Sequence, residues 1–215
     1  MPILEDLSEN IQKGRVKNVK ELVQQAIDEG TSAKRILEES MLTGMAVIGD
    51  KFSKNQVFVP EVLMAAKAMN AGMELLKPLL VQENVESKGR VCIGTIKGDQ
   101  HDIGKNLVKM MMEGAGLEVI DLGVNVPPQK FVDAAVEKEC GVIACSALLT
   151  TTMGTMGQIV TLCKEAGIRD KVKIMVGGAP VSQEFCDKIG ADCYTPDAAA
   201  AASQAVALLS RDLGS

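Results

Sequence analysis

Apolar residues in the first 88 positions recur three and four apart, the spacing of helices that bury one face. "NVKELVQQAIDEG" has Asn18 as a candidate N-cap, Glu21 at the capping-box position and Gly30 as a stop. A second run, from Thr31 or Ser32, carries Ile36, Leu37, Met41, Met45, Ile48 and Phe52 along one side. "FVPEVLMAAKAMNAGMELLKPLL" opens another helix, with Pro60 suited to its first turn. With the short opening segment this predicts about four helices, a bundle. The polar "VQENVESKGR" follows as a linker.

Past residue 88 the period changes. Short β-rich apolar runs, "RVCIGTI", "LEVIDLG", "GVIACSA", "KIMVGG" and a brief "CYT", alternate with helical stretches at 104–113, 128–138, 154–166 and 182–189, and a last helix runs from Asp197. Fifteen of the 20 glycines lie in this part, at the turns such alternation needs. The pattern predicts a doubly wound parallel sheet of five strands. The expected domains are therefore a helical bundle cap at 1–88 and an α/β domain at 89–215. In such sheets ligands lie beyond the carboxyl ends of the strands, where the strand order reverses.

Composition narrows the function. With 47% apolar residues the chain can fill a core, yet only 2% are aromatic and none is tryptophan, so twelve methionines share the packing and base stacking is a poor fit. The net charge of -5 is evenly spread, 11 basic against 13 acidic residues up to position 88 and 12 against 15 after it. That leaves no basic footprint for nucleic acid or for an anionic membrane. No run approaches the ~18 apolar residues of a membrane span, and "MPILEDLSEN" lacks the basic start and apolar core of a secretion signal, so a cytoplasmic protein is expected. Six cysteines without a CxxC pair, several inside apolar runs, read as buried thiols.

The chemistry concentrates in "GDQHDIGKNLV", which holds the only histidine. His101 falls in the loop after the first strand, at the expected ligand edge. Asp99 can hold one ring nitrogen and leave the other free to coordinate, the outer-shell support usual for a metal-bound imidazole. A protein-built zinc or iron site needs three or four ligands, and no partner histidine or thiolate pair stands at suitable spacing. One protein ligand suffices where a macrocycle supplies the other positions, so the loop points to a metal tetrapyrrole.

Three motifs then carry a resemblance. Asp-x-His-x-x-Gly at Asp99, His101 and Gly104, Ser-x-Leu at Ser146 and Leu148, and the pair Gly177 and Gly178 in "VGGA" resemble, in order, the signature of the cobalamin-binding domain of methyl-transferring corrinoid proteins. "MAVIGDKF" and "FVPEVLMAAKAM" are similar to the helical cap that precedes that domain in cobalamin-dependent methionine synthase and in the small corrinoid proteins of methanol and methylamine metabolism. The likeness spans the whole chain and implies a helical cap before a flavodoxin-like, Rossmann-like sheet.

The resemblance implies cobalamin as cofactor, with His101 as lower axial cobalt ligand and Asp99 bonded to its far nitrogen. Asp102, Ile103 and Gly104 would border the displaced nucleotide tail, Ser146 would meet the His–Asp network or the tail, and Leu148 and Thr150 would line its channel. Gly177 and Gly178 would let the tail pass close to the backbone. Each has a plainer alternative: a helix-capping hydroxyl for Ser146, a core leucine at Leu148, ordinary turn glycines at the pair. In the cap, Phe58 matches a residue that shields the cofactor's upper face, with Val62 and Met64 as weaker candidates and bundle packing as their other role.

The implied activity is methyl carriage on cobalt, shuttle rather than catalyst, between a substrate-specific methyltransferase and an acceptor methyltransferase serving tetrahydrofolate or coenzyme M. A corrinoid-reducing activase is a further implied partner. A cobalamin-binding sensor, or the cobalamin-binding part of a methionine-synthase-like or mutase enzyme, stays open as an alternative.

Overall fold

The computed structural model describes residues 2–211; positions 1 and 212–215, the ends of the two expected domains, lie outside the described residues. Two compact units divide the chain between Ser87 and Lys88, with Gly114–Gly116 grouped with the first.

The first unit is helical: α1 Pro2–Gln12, α2 Val16–Asp28, α3 Ala33–Ile36, a wide π turn Leu37–Leu42, α4 Thr43–Ser53 and α5 Val59–Gln82. Leu7, Ile11, Val19, Val23, Ile36, Met41, Ile48, Met69 and Leu76 form its core, each almost wholly removed from water. Ser32 caps α3 by accepting from the Arg35 amide at 3.3 Å, and Pro60 sits in the first turn of α5, as the sequence predicts.

Two expectations need correction. Asn18 is not an N-cap: α2 begins at Val16, because Gly14 in the left-handed region (φ +65°) turns the chain and the Arg15 carbonyl accepts the first helical bond from Val19. The linker also starts later than Val81, since α5 continues to Gln82 and ends at Glu83.

The second unit runs β1 Arg90–Thr95, α6 Ile103–Gly114, β2 Glu118–Asp121, α7 Pro128–Glu137, β3 Val142–Ser146, α8 Gly154–Glu165, β4 Lys173–Gly177, α9 Gln183–Ile189, β5 Cys193–Tyr194 and α10 Ala198–Arg211. All five strands are parallel, in the order β2-β1-β3-β4-β5. Strands this apolar must be covered on both faces. Cys92, Ile143, Cys145, Ile174 and Val176 pack with Phe131 and Val132 of α7, Met156, Ile159 and Val160 of α8 and Cys186 of α9. The alternate residues Val91, Ile93, Val142, Ala144 and Met175 are buried on the other face, where α10 meets β3. The six cysteines are free, five of them buried.

The chain passes from β1 outward to β2 and returns to place β3 on the other side of β1. The loops after β1 and β3 therefore flank the crevice where the strand order reverses. His101 lies in the first of these loops and Leu148 in the second.

Candidate functional site

Asp99 organises the crevice. Its backbone N–H closes a turn to the Ile96 carbonyl at 3.1 Å, and its carboxylate has no exposure to water. One oxygen accepts the His101 amide at 3.0 Å and faces His101 Nδ1 at 2.7 Å. The other accepts the Leu148 and Leu149 amides at 2.7 and 3.0 Å. Burial by itself would raise the carboxyl's pKa. The amide and imidazole hydrogen bonds outweigh it and hold the group well below the usual carboxylate range. A carboxylate that stays ionised can only accept, so Nδ1 carries the proton and the lone pair is on Nε2. The His101 side chain is 53% exposed, so this nitrogen is free to bind something outside the protein.

The loop around it is held from several sides. Buried Thr95, the last residue of β1, donates its hydroxyl to the His101 carbonyl at 2.9 Å. Asn125, in the left-handed region (φ +52°) after β2, accepts the Gly98 amide at 2.8 Å on its side chain and donates its own amide to the Asp99 carbonyl at 2.9 Å. Asp102 precedes α6 and accepts from Asn106 twice, at its carbonyl (2.7 Å) and its carboxylate (3.1 Å). Beneath that turn the nearly buried Lys105 ammonium meets both Asp121 oxygens at 2.7 and 2.8 Å and Asn106 Oδ1 at 2.7 Å.

The residues named from sequence fall into three sets. Asp99, His101 and Leu148 are joined by hydrogen bonds, Leu148 through its backbone. Asp102, Ile103, Gly104, Leu148 and Thr150 are exposed on the two loops and the first turn of α6. Ser146 ends β3 in register with Thr95 on one side and Gly177 on the other, half-buried at the edge of the crevice. The third set belongs to the helical unit: Phe58 is 65% exposed at the start of α5, whereas Val62 is wholly buried in the bundle. The exposed apolar residues of that turn are Leu63 and Met64.

Sequence reasoning missed Thr95, Asn125, Leu149 and the Lys105–Asp121 pair. Asn125 left a trace as the asparagine of "GVNVPP", a turn residue that tolerates a positive φ. The others act through backbone or through partners distant in sequence, and no local pattern marks them.

The glycines separate protein-imposed positions from open ones. Gly178 has φ +124°, and a Cβ there would lie 1.8 Å from the Ala147 carbonyl oxygen. The protein alone requires that glycine. A Cβ on Gly104 would meet nothing within 4 Å, and one on Gly177 only the Thr195 carbonyl oxygen at an ordinary 3.7 Å. These two leave bare backbone beside His101 and Ser146. Ile103, Leu148 and Leu149 are also large apolar side chains left exposed, at 79%, 45% and 40%. Among the described residues no group of three or more His, Cys, Asp or Glu could hold a metal ion. One oriented imidazole, an apolar apron and bare backbone fit a large, mostly apolar ligand that brings its own equatorial metal ligands.

Fold and site together define a module that binds a metal tetrapyrrole at the switch point of a parallel sheet. Residues 89–206 match the B12 binding domain family, and residues 3–77 match a second family of the same description. The chain is 47% identical to trimethylamine corrinoid protein 1 of Methanosarcina acetivorans over 88% of each chain. It is 42% identical to a dimethylamine corrinoid protein of Methanosarcina barkeri over 96% of this chain and 97% of that one. A chain in the crystal structure of the methanol:cobalamin methyltransferase complex of Methanosarcina barkeri superposes with a TM-score of 0.85, at 30% identity over 97% of this chain and 80% of that chain. The chain belongs to the B12-binding corrinoid protein family, and its cofactor is cobalamin.

Proposed function

We propose that this chain carries a methyl group on the cobalt of cobalamin between a substrate-specific methyltransferase and an acceptor methyltransferase, with His101 as the lower axial ligand. The observation that carries the ligation is the outward Nε2 of the only histidine, whose other nitrogen is committed to an ionised, buried carboxylate. Cobalamin, when bound, supplies a metal centre that accepts a methyl group in one oxidation state and gives it up in another.

The chain's own residues set the conditions. Asp99 fixes the tautomer and the orientation of the His101 ring. Gly104 and Gly177 offer backbone surface to the nucleotide tail, Ile103, Leu148 and Leu149 give it an apolar bed, and Gly178 shapes the crevice. Ser146, Thr150 and Asp102 are polar groups at its rim. Phe58, with Leu63 and Met64, shields the upper face from water, and Val62 serves the bundle instead. The domain boundary is taken at 88/89, one residue past the point where the compact units part. A regulatory role is not favoured, because relatives that align over nearly the whole chain are methylamine corrinoid proteins. The names of those relatives support a methylated amine as the donor, delivered by a partner methyltransferase. The acceptor enzyme works with tetrahydrofolate or coenzyme M, and a reductive activase restores the cobalt. Free cysteines accord with action in the cytoplasm.

The test is His101→Ala loaded with hydroxocobalamin. The variant should keep part of the corrinoid affinity but lose the visible spectrum of imidazole-ligated cobalt. A variant whose spectrum, affinity and transfer rates match wild type would rule out ligation.

A further inference from the structure

Lys105 lies outside the ligand set, yet its surroundings are unusual. It is 2% exposed, in the first turn of α6, and a buried ammonium persists only when fully paired. Asp121, at the carboxyl end of β2, takes two of its protons at 2.7 and 2.8 Å and the Asn106 carbonyl oxygen takes the third at 2.7 Å. Asp121 is itself fixed by the Gly123 amide at 2.9 Å and by Lys109 at 3.4 Å. An ammonium has only donors, so it holds the Asn106 side-chain oxygen inward and turns the amide NH2 outward. That NH2 donates to Asp102 at 3.1 Å, and Asp102 is the residue next to His101.

We propose that Lys105 is a positioning residue for the imidazole: through Asn106 it clamps Asp102 and so steadies the His101 backbone at its C-terminal neighbour, in addition to the direct bonds from Thr95 and Asp99. A loop hung from Asp99 alone could rotate about that anchor, and the 2.7 Å contact to Nδ1 would be lost part of the time. With Asp102 clamped, the ring keeps one tautomer and Nε2 keeps one direction. The proposal concerns the same site as the ligation by His101 but does not need cobalt for its test.

His101 is the only histidine, so nitrogen NMR of the full chain labelled with 15N-histidine reads this ring alone, without cofactor. In alkaline buffer the wild type should show one protonated and one bare nitrogen, widely separated. Lys105→Met and Asn106→Leu should each bring the two signals together as tautomers mix, while amide signals of β1 and β3 stay in place. Asn106→Leu leaves the Lys105–Asp121 pair whole, so it decides the matter even where Lys105→Met fails to fold. Lys105→Met/Asp121→Leu removes the buried ammonium together with its carboxylate partner, and should fold yet show the same narrowing. Unmoved histidine nitrogens in Asn106→Leu or in the double variant overturn the proposal. Failed ligation would appear separately, as an unchanged cobalt spectrum in His101→Ala with the free-chain NMR result unaffected.

Discussion

At the scale of single residues, the three glycines of the crevice give opposite expectations. Gly178→Ala forces a side chain into the left-handed region and against the Ala147 carbonyl. It should destabilise the cofactor-free chain by about 3 kcal/mol or more, since strain alone accounts for roughly 1–3. Gly104→Ala adds a methyl in open space within a helix. That change should stabilise the free chain by up to about 1 kcal/mol, while a displaced contact of about 1.4 kcal/mol would weaken cobalamin binding tenfold. Gly177→Ala should leave stability nearly unchanged and also weaken binding. Thermal melts of the free chain and cobalamin titrations separate the two classes. A Gly104→Ala chain that binds cobalamin as tightly as wild type would remove that glycine from the site. From sequence Gly177 and Gly178 formed one motif, because spacing records that side chains are missing but not what occupies the space.

At the scale of elements, one carboxylate at the end of β2, Asp121, pairs with two lysines of α6, Lys105 at 2.7 Å and Lys109 at 3.4 Å. Burial would raise the Asp121 carboxyl, but the Lys105 ammonium, the Gly123 amide and Lys109 hold it below its ordinary value. A depressed carboxyl contributes stability that is fully present above the unfolded pKa of about 3.9 and is lost as pH falls through the lower folded value. Asp121→Asn removes the charged partner of the buried Lys105 ammonium at a carboxylate that solvent still reaches, and should cost about 1–2 kcal/mol at neutral pH. The gap between wild type and variant should close as pH drops below about 4, which urea unfolding at a series of pH values would show; a gap independent of pH would mean that the pair adds nothing. This pair was not legible in the chain: Lys105 and Asp121 are 16 positions apart, and a lysine beginning a helix reads as solvated. The strands were legible because "RVCIGTI" and "GVIACSA" are too apolar for anything but a sheet covered on both faces. The Asp99–His101 contact was legible because its spacing is local. The π turn at 37–42 was not, since its apolar residues continue the helical spacing on both sides, and α2 starts at a glycine turn instead of a capping side chain.

At the scale of the whole molecule, the segment between the two units is shorter than its polar sequence implies. Glu83 closes the helical unit by accepting the Ala33 and Lys34 amides at 2.8 and 3.0 Å, and the Val85 amide returns to the Leu80 carbonyl at 2.9 Å. The Gly89 carbonyl already takes the Glu118 amide at 3.0 Å and so belongs to the sheet. Glu86, Ser87 and Lys88, all exposed, connect these two ends. On the proposed function a donor and an acceptor methyltransferase both have to reach the cofactor, and movement of the chain at residues 86–88 would permit it. Glu86→Pro removes one rotatable bond there and restricts Val85 to extended conformations. As a surface change it should alter stability by no more than about 0.5 kcal/mol and leave the cobalt spectrum as in wild type. Methyl transfer into and out of the protein should slow together, measured as two separate half-reactions. Slowing of one half-reaction alone would place the effect at a partner's docking surface, and no slowing of either would show that the three residues act as a tether and not as a hinge.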